Sequence, residues 1–439
     1  MKNSTLIVTM VSLFVAASLS LLDSSGILTF PTELLFIVRW LAIGSLIFFA
    51  LQKKSLTTWI LASMVIGAEI GHDFPEIAVS LKVFSQIFLK LIKTIIAPLL
   101  FSTLVVGIAS HSNLKQVGRM GIKSLIYFEV VTTIALFIGL AAINISQAGA
   151  GIQLPKSSEI EKVEVVPAKT ASEIILHVFP ENFIKSVYNG EVLQIVVFSV
   201  LFAIALAMLP EEKKKPILAV TESLSEVMFK FTNLIMYFAP IGVGAAIAFT
   251  VGHMGLGVLV NLFKLLATLY VSLFVFILCV LVPIALLCKI PLIKFAKAIA
   301  EPVSIAFATT SSDAALPRAM EALEAFGVPR KVIAFVLPTG YTFNLDGTTL
   351  YLSLASVFVA QAANIQMSFG QQLAMVFTLM LTSKGVAGVP RASLVILLGT
   401  AASFGLPTEP IFIILGIDEL MDMARTSVNV TGNCLATVV

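Results

Sequence analysis

Apolar runs close to 20 residues long recur along the chain, and they constrain its fold more than any other feature of the sequence. A helix needs about 20 predominantly apolar residues to cross the hydrocarbon core of a bilayer. Only 12% of the 439 residues are charged, and the mean hydropathy is +1.02. So few charges cannot cover a soluble domain of this size. The sequence therefore predicts an all-α polytopic membrane protein.

The chain up to residue 290 divides into apolar spans and short basic connectors. The predicted spans are 5–22, 32–51, 57–72, 84–110, 122–146, 187–209, 218–250 and 255–288. Counting spans places the connectors on one side, which the positive-inside rule makes cytoplasmic, together with both termini. The first run fits a signal peptide or a first span. We favour an uncleaved span, because the run is long for a signal core and no clean A-x-A site follows.

Two similar interruptions follow residue 290. The segments FATTSSDAALP (307–317) and TSKGVAGVP (382–390) are rich in small residues. Each precedes a span with an N-x-x-G motif, NLDGT at 344–348 and NVTGN at 429–433. We expect each motif to break its helix. Paired interruptions indicate a transporter whose inverted repeats meet at a binding site near the bilayer midplane. The alternative is that the two segments are ordinary glycine-containing connectors between spans. Such connectors need not repeat with a polar helix behind each of them, as these two segments do.

The last span carries a polar stripe. At about 100° per residue, five side chains fall within an arc of about 80°; they are Asp418, Asp422, Arg425, Asn429 and Asn433. A charged residue at the bilayer centre costs roughly 2.5–3.5 kcal/mol, so the stripe must face the protein interior. Arg425 suits a carboxylate and Asp422 an ammonium, which together fit a small dicarboxylate bearing an amino group. A purely structural Asp422–Arg425 ion pair is the alternative, and it leaves the asparagines unexplained.

Two other charges lie within predicted spans. Arg39 and Lys264 fall near the ends of their spans, where long side chains snorkel to the interface. We therefore assign them no chemistry.

Seven ordered motifs carry a family resemblance. They are APLLFSTLVVG (97–107), NGEVLQIVVF (189–198), YFAPIGV (237–243), TTSSDAALP, FNLDGTTLY, SKGVAGVP and DMARTSVNVTGN. On these residues, from about residue 57 to the end, the chain resembles the dicarboxylate/amino acid:cation symporter family, which includes the glutamate transporters. The resemblance implies a glutamate-transporter-type fold with inverted repeats and two re-entrant helical hairpins. It also implies a homotrimer of elevator transporters.

The resemblance further divides the chain by role. Residues 1–56 fall outside it and are expected to form two extra N-terminal transmembrane helices. Within the symporter domain, 57–439, the static scaffold would comprise about 57–110 and 187–250. The mobile transport domain would comprise about 122–146 and 255–439. It would contain hairpin one at 292–328 and hairpin two at 368–405, the latter acting as the extracellular gate.

Matched motif positions imply a substrate site. Its residues would be Ser311, Ser312, Thr348, Gly388, Val389, Asp422, Arg425, Thr426 and Asn429. Arg425 would take the side-chain carboxylate of the substrate and Asp422 its amino group. Asn429 and the Ser312 backbone would take the main carboxylate. C4-dicarboxylate members of the family lack an acid at the position of Asp422, so glutamate or aspartate is favoured over a C4-dicarboxylate such as succinate, fumarate or malate.

The resemblance also implies residues for cation coupling. They are Thr132, Glu129, Gly340, Thr342, Asn344, Asp346, Ser383, Asn429 and Asn433, of which Asn344, Asp346, Asn429 and Asn433 would hold a sodium ion. Sodium-coupled relatives usually have Asp at the position of Asn433. An amide there removes about 4 kcal/mol at 4 Å and an effective dielectric near 20, roughly a thousandfold in affinity. Proton coupling is therefore preferred over sodium. Glu129 is the first candidate for the proton-binding group, ahead of Asp346 and Asp418.

Other function classes lack their residues. The chain has no H-E-x-x-H, G-x-S-x-G or P-loop motif, so we expect neither an enzyme nor an ATP-driven pump, and no cofactor beyond the coupling H+ or Na+. An anion-conducting channel stays as the alternative of another class. The net charge of +3 comes from span ends, so nucleic acid is not an expected partner. The expected partners are an acidic small molecule and membrane lipid, in a bacterial inner membrane.

Overall fold

The computed structural model describes residues 2–109, 114–152, 176, 179–189, 191–383 and 392–439. These residues form helices joined by turns, with no strand among them. The helices up to residue 254 are α1 (Lys2–Ser24), α2 (Thr32–Lys53), α3 (Leu56–Asp73), α4 (Pro75–Ser80), α5 (Lys82–Ala109), α6 (Leu114–Ser146), α7 (Phe183–Asn189), α8 (Val192–Ala207), α9 (Glu211–Met236) and α10 (Ala239–Met254).

The later helices are shorter and more often interrupted. They are α11 (Val258–Phe276), a π-helical segment (Ile277–Leu281), α12 (Val282–Leu287), α13 (Leu292–Thr309), α14 (Ser312–Phe326), α15 (Arg330–Phe343), α16 (Asp346–Ala362), α17 (Phe369–Thr382), α18 (Ala392–Ser403), α19 (Glu409–Leu415) and α20 (Asp418–Val438). Helices of 12–15 residues, such as α14, α15 and α18, are too short to cross a bilayer unaided.

Five helical segments of the described chain are long and apolar enough to span a membrane. They are Thr5–Ser24, Thr32–Lys53, Pro75–Ala109, Gly121–Ser146 and Val258–Leu287. The predicted span 218–250 is instead the pair α9–α10, bent by 49° and counted as a sixth span if taken together. The bend comes where Pro240 enters the first turn of α10, because proline cannot continue a helical hydrogen-bond ladder. The protein is therefore a multi-pass membrane protein.

The chain separates into two compact units. The first comprises residues 1–88 and 236–256, and the second comprises 89–235 and 257–439. In the first unit, α2 packs against α1 and α3, and α10 runs along α3. Arg39, which was expected to snorkel, donates to Glu69 Oε1 and, at 2.7 Å, to Asp73 Oδ1 at the end of α3. Two carboxylates within reach of α2 hold the guanidinium inside the unit.

The second unit is built around α16, which is buried along almost its whole length. α13 and α14 form an antiparallel pair joined at Thr310 and Ser311, and both pack against α20. Thr310 makes this turn with φ +52, in the left-handed region. α17 and α18 occupy 369–382 and 392–403. The segment between them, 384–391, lies outside the described residues.

The two N-x-x-G motifs behave differently. NLDGT breaks the chain as expected, since α15 ends at Phe343 and α16 begins at Asp346. The break expected at NVTGN (429–433) is wrong, because α20 is continuous from Asp418 to Val438. The asparagine side chains of NVTGN bond to the neighbouring helices instead of competing for their own backbone, which leaves the helical ladder of α20 intact.

Candidate substrate and cation site

A side chain from the last helix hydrogen-bonds to the backbone at the helix break in NLDGT. The first N–H groups of α16 have no partner within the helix. Asn429 Oδ1 in α20 accepts from Gly347 N at 2.8 Å and from Thr348 N at 3.2 Å. Asn429 Nδ2 in turn donates to Thr348 Oγ1 at 2.9 Å. Asn429 therefore caps α16 and fixes α20 against the break.

The arginine of α20 is held by three side chains. Arg425 Nε donates to Asp422 Oδ1 at 2.9 Å, and Arg425 Nη1 donates to Asp418 Oδ1 at 3.0 Å. The guanidinium also lies 4.2 Å from the ring centroid of Tyr351, whose hydroxyl donates to Asp418 Oδ1 at 3.2 Å. Thr426 Oγ1 donates to Asp422 Oδ1 at 3.0 Å. We call Asp418, Asp422 and Arg425 the α20 cluster.

Every side chain of the α20 cluster is buried, yet three of its polar atoms have no partner. Asp418, Asp422 and Arg425 are 0%, 5% and 1% exposed. Within the described part of the chain, nothing bonds to Arg425 Nη2, Asp422 Oδ2 or Asp418 Oδ2. Each such buried atom costs about 1–3 kcal/mol, and more on a charged group. Two carboxylates and one guanidinium also leave a net negative charge. The cluster thus offers one donor and two acceptors to a ligand.

The sequence revealed these partners only in part. The Asp422–Arg425 ion pair weighed as an alternative does exist, but one polar atom of each side chain has no hydrogen-bond partner among the described residues. The stripe includes Asp418 without identifying it as a counter-ion of Arg425, although the seven-residue spacing puts both on one face. Tyr351 was missed, and the only available signal was its place at the end of FNLDGTTLY.

A second polar cluster lies beside the helix break, and we call Asn344, Asp346 and Asn433 the break cluster. Asn344 Nδ2 donates to Asp346 Oδ2 at 3.1 Å and to Asn433 Oδ1 at 3.3 Å, while Asn433 Nδ2 donates to Asn344 O at 3.2 Å. All three residues are at most 1% exposed. Asn344 Oδ1 is buried with no hydrogen-bond partner among the described residues. Carboxylate and amide oxygens are ligands for hard cations, so this donor set fits a small monovalent cation.

The other residues implied for cation coupling are spread along neighbouring helices. Gly340 and Thr342 lie in α15, shortly before the break. Thr132 in α6 is 1% exposed, and its hydroxyl donates to a backbone carbonyl of its own helix at 2.6 Å. Ser383 directly follows α17 and is 1% exposed. Glu129 lies in the wall of a largely apolar cavity of about 620 Å³ between α5, α6, α8, α15 and α17.

The hairpin residues implied for the substrate site fall into two groups. Ser311 caps α14, with its hydroxyl oxygen accepting from Ala314 N at 3.3 Å. Ser312 begins α14 and is 8% exposed. Gly388 and Val389 lie outside the described residues.

The same motifs place the chain among known proteins. A model of the sodium:dicarboxylate symporter family matches residues 56–439. The chain belongs to the sodium:dicarboxylate symporter family. The family has the glutamate-transporter fold, which confirms the predicted fold class. Its model begins at the start of α3, so α1 and α2 precede it.

Curated relatives cover most of this family member. The proton/sodium-glutamate symport protein of Bacillus caldotenax is 42% identical over 398 residues, which cover 89% of this chain and 94% of the relative. The proton/glutamate-aspartate symporter of Escherichia coli strain K12 is 41% identical over 406 residues, which cover 88% and 92%. The proton/sodium-glutamate symport protein of Bacillus subtilis strain 168 is 40% identical over 396 residues.

Proposed function

We propose that this family member is a secondary active symporter that drives uptake of glutamate or aspartate with a cation gradient. One observation carries the proposal: among the described residues, the buried donor Arg425 Nη2 and the buried acceptor Asp422 Oδ2 have no hydrogen-bond partner. An acidic amino acid supplies what both atoms lack, a carboxylate and an ammonium. The names of the relatives support the same substrate class.

In the proposed site, Asp418 and Tyr351 hold the guanidinium of Arg425 in place before substrate arrives. The free Nη2 then donates to the side-chain carboxylate of the substrate. Asp422 Oδ2 accepts from the ammonium, while Thr426 fixes the other oxygen of Asp422. This preorganisation lowers the cost of ordering the site on binding.

The proposed site takes the main carboxylate of the substrate near the helix ends. Asn429 and the backbone of Ser312 would bind this carboxylate, with Thr348 beside them. Ser311 supports the start of α14 as its cap. The backbone at Gly388 and Val389 would close the site from hairpin two.

Charge explains why the proposed substrate needs cations. Three buried aspartates, Asp346, Asp418 and Asp422, are accompanied by one buried arginine, Arg425. Glutamate or aspartate adds one further negative charge. Uncompensated charge in a buried site is costly. Cations entering with the substrate reduce this cost, and the break cluster offers them oxygen ligands. Proton coupling is favoured over sodium, because Asn433 supplies an amide where sodium-coupled relatives have a carboxylate.

The proposed protein works as a homotrimer by an elevator mechanism, with the scaffold and transport domain divided as the resemblance implies. Support for the trimer comes from the family resemblance. On α9, Val220, Val227 and Leu234 are 70%, 60% and 66% exposed, and their seven-residue spacing puts them on one apolar stripe that lipid or another copy can cover. The positive-inside rule supports cytoplasmic termini in a bacterial inner membrane.

Uptake into liposomes tests the proposed function. Purified protein is reconstituted, and radiolabelled aspartate, glutamate and succinate are offered under separate proton and sodium gradients. We expect concentrative uptake of aspartate or glutamate with at least one gradient. Preferential uptake of succinate would replace this proposal with C4-dicarboxylate transport. A steady current without substrate flux would replace it with an anion channel.

A single variant tests the proton-binding group. Glu129→Gln removes the carboxylate from the cavity wall and leaves the α20 cluster untouched. We expect proton-driven uptake to disappear while substrate exchange across the membrane continues. Concentrative uptake at the wild-type rate would show that Glu129 is not the proton-binding group and would leave Asp346 and Asp418 as the candidates.

A further inference from the structure

Two glycines border the break cluster. Gly340 lies in the last turn of α15 and Gly432 in the interior of α20. Glycine at such a position is destabilising by about 1 kcal/mol relative to alanine. Two such positions beside one buried polar cluster call for a compensating reason.

At Gly432, the reason is the carboxylate of Asp346. A Cβ built there would overlap Asp346 Oδ2 and lie 3.1 Å from its Cγ. It would also lie 3.5 Å from Asn344 Nδ2, the group that donates to the same carboxylate. Any side chain at this position must therefore displace the carboxylate from α20.

At Gly340, the reason is the amide oxygen of Asn433. A Cβ there would overlap Asn433 Oδ1 and lie 3.0 Å from Asn433 Cγ and 3.4 Å from the ring of Phe128. The two displaced atoms, Asp346 Oδ2 and Asn433 Oδ1, are the two that accept from Asn344 Nδ2. Both oxygens of this shared hydrogen-bond pair thus occupy the space that side chains would fill.

We propose that Gly432 and Gly340 are positioning residues of the cation site, each keeping one ligand oxygen in place by having no side chain. The inference rests on the proposed function, because it assigns a cation to the break cluster. The three atoms nearest to each added Cβ belong to the break cluster or to Phe128, and none belongs to the α20 cluster. Their substitution should therefore weaken cation binding while sparing substrate contacts.

The principal variant is Gly432→Ala in the full-length protein. The first readout is the rise in unfolding temperature of the detergent-purified protein as sodium or proton concentration increases, without substrate. The second is the cation concentration that gives half-maximal aspartate uptake into liposomes. We expect the first response to be largely lost and the second value to rise tenfold or more. At saturating cation concentration, the aspartate concentration that gives half-maximal uptake should change less than twofold.

Gly340→Ala is the second variant, and it still tests the inference if Gly432→Ala does not fold. Its clash is with the end of the Asn433 side chain, which can rotate away. We expect a smaller rise, about threefold, in the half-maximal cation concentration, because a displaced amide loses only part of its contact.

Two glycine controls separate positioning from general destabilisation. Gly257→Ala adds a methyl where nothing lies within 4 Å, and it should change neither readout. Gly139→Ala would crowd Leu350 O and Ser353 Oγ, two turns along α16 from the break. It should lower the unfolding temperature at every cation concentration without changing the cation dependence.

The outcomes are distinct. The inference is overturned if Gly432→Ala and Gly340→Ala both keep the wild-type cation dependence. It is also overturned if Gly139→Ala shifts the half-maximal cation concentration as much as they do. A wild-type protein whose stability and uptake do not respond to any cation overturns the proposed function itself, and the inference with it.

Discussion

Two clusters in this protein have the same composition, one arginine and two carboxylates, and they differ in what they leave without a partner. Arg39, Glu69 and Asp73 form the α2–α3 cluster in the first unit, with side chains 18%, 16% and 9% exposed. Its hydrogen bonds are supplemented by Trp40 Nε1, which donates to Asp73 Oδ2 at 2.9 Å. None of these side-chain atoms is both buried and without a partner in the described structure.

The α20 cluster is 0–5% exposed, and three of its atoms have no hydrogen-bond partner in the part of the chain that the structure describes. The contrast shows that charge within a membrane helix does not by itself indicate a site. A cluster that is partly exposed and fully hydrogen-bonded holds helices together, whereas a buried cluster with unpaired polar atoms calls for a ligand. The α2–α3 cluster joins α2, which precedes the family match, to α3 within it.

The largest expected effect separates the two arginines. Arg425→Gln removes the donor fork and leaves Asp418 and Asp422 without a counter-ion. Losing one partner of a buried charge pair costs about 3 kcal/mol, so acidic-substrate affinity should fall more than 100-fold. Arg39→Gln is the matched control and should change half-saturation by less than twofold. Uptake of radiolabelled aspartate measures both, and equal losses would remove the distinction between the clusters.

A smaller effect tests the acceptor in the α20 cluster. Asp422→Asn keeps the shape of the side chain but weakens its contact with an ammonium by about 2 kcal/mol. Aspartate and glutamate affinity should fall about 30-fold, while inhibition by succinate changes little. Competition by unlabelled substrates against labelled aspartate gives the comparison. If aspartate and succinate lose affinity together, Asp422 does not read the amino group.

The α2–α3 cluster should show its effect in stability. Arg39→Met leaves Glu69 and Asp73 facing each other without a counter-ion. Loss of a buried partner costs several kcal/mol, reduced here to about 1.5 kcal/mol because the three side chains are partly exposed. The unfolding temperature in detergent should fall. Adding Glu69→Gln and Asp73→Asn should restore much of it, and no recovery would contradict an ionic origin.

The smallest effect compares one hydrogen bond in each cluster. Tyr351→Phe keeps the ring beside Arg425 but removes the hydroxyl that donates to Asp418. A loss of about 1 kcal/mol predicts roughly fivefold weaker aspartate affinity. Trp40→Phe removes the corresponding donor to Asp73 and should lower only the unfolding temperature. An affinity change in Trp40→Phe would assign function to both clusters.

Apolar length and helical spacing were enough to predict most long helices, the NLDGT break and the polar face of α20. These features depend on local composition and on the 3.6-residue period. The continuity of α20 through NVTGN was not predictable locally, because it depends on bonds from Asn429 and Asn433 to α15 and α16. The pairing of Arg39 with α3 and of Tyr351 with Arg425 likewise joins residues distant in sequence.

A structure determined with aspartate bound tests the central claim most directly, that the ligand completes the α20 cluster. We expect a ligand carboxylate oxygen within about 3 Å of Arg425 Nη2 and the ligand ammonium within about 3 Å of Asp422 Oδ2. Aspartate bound elsewhere, with both of these atoms still lacking partners, would contradict it.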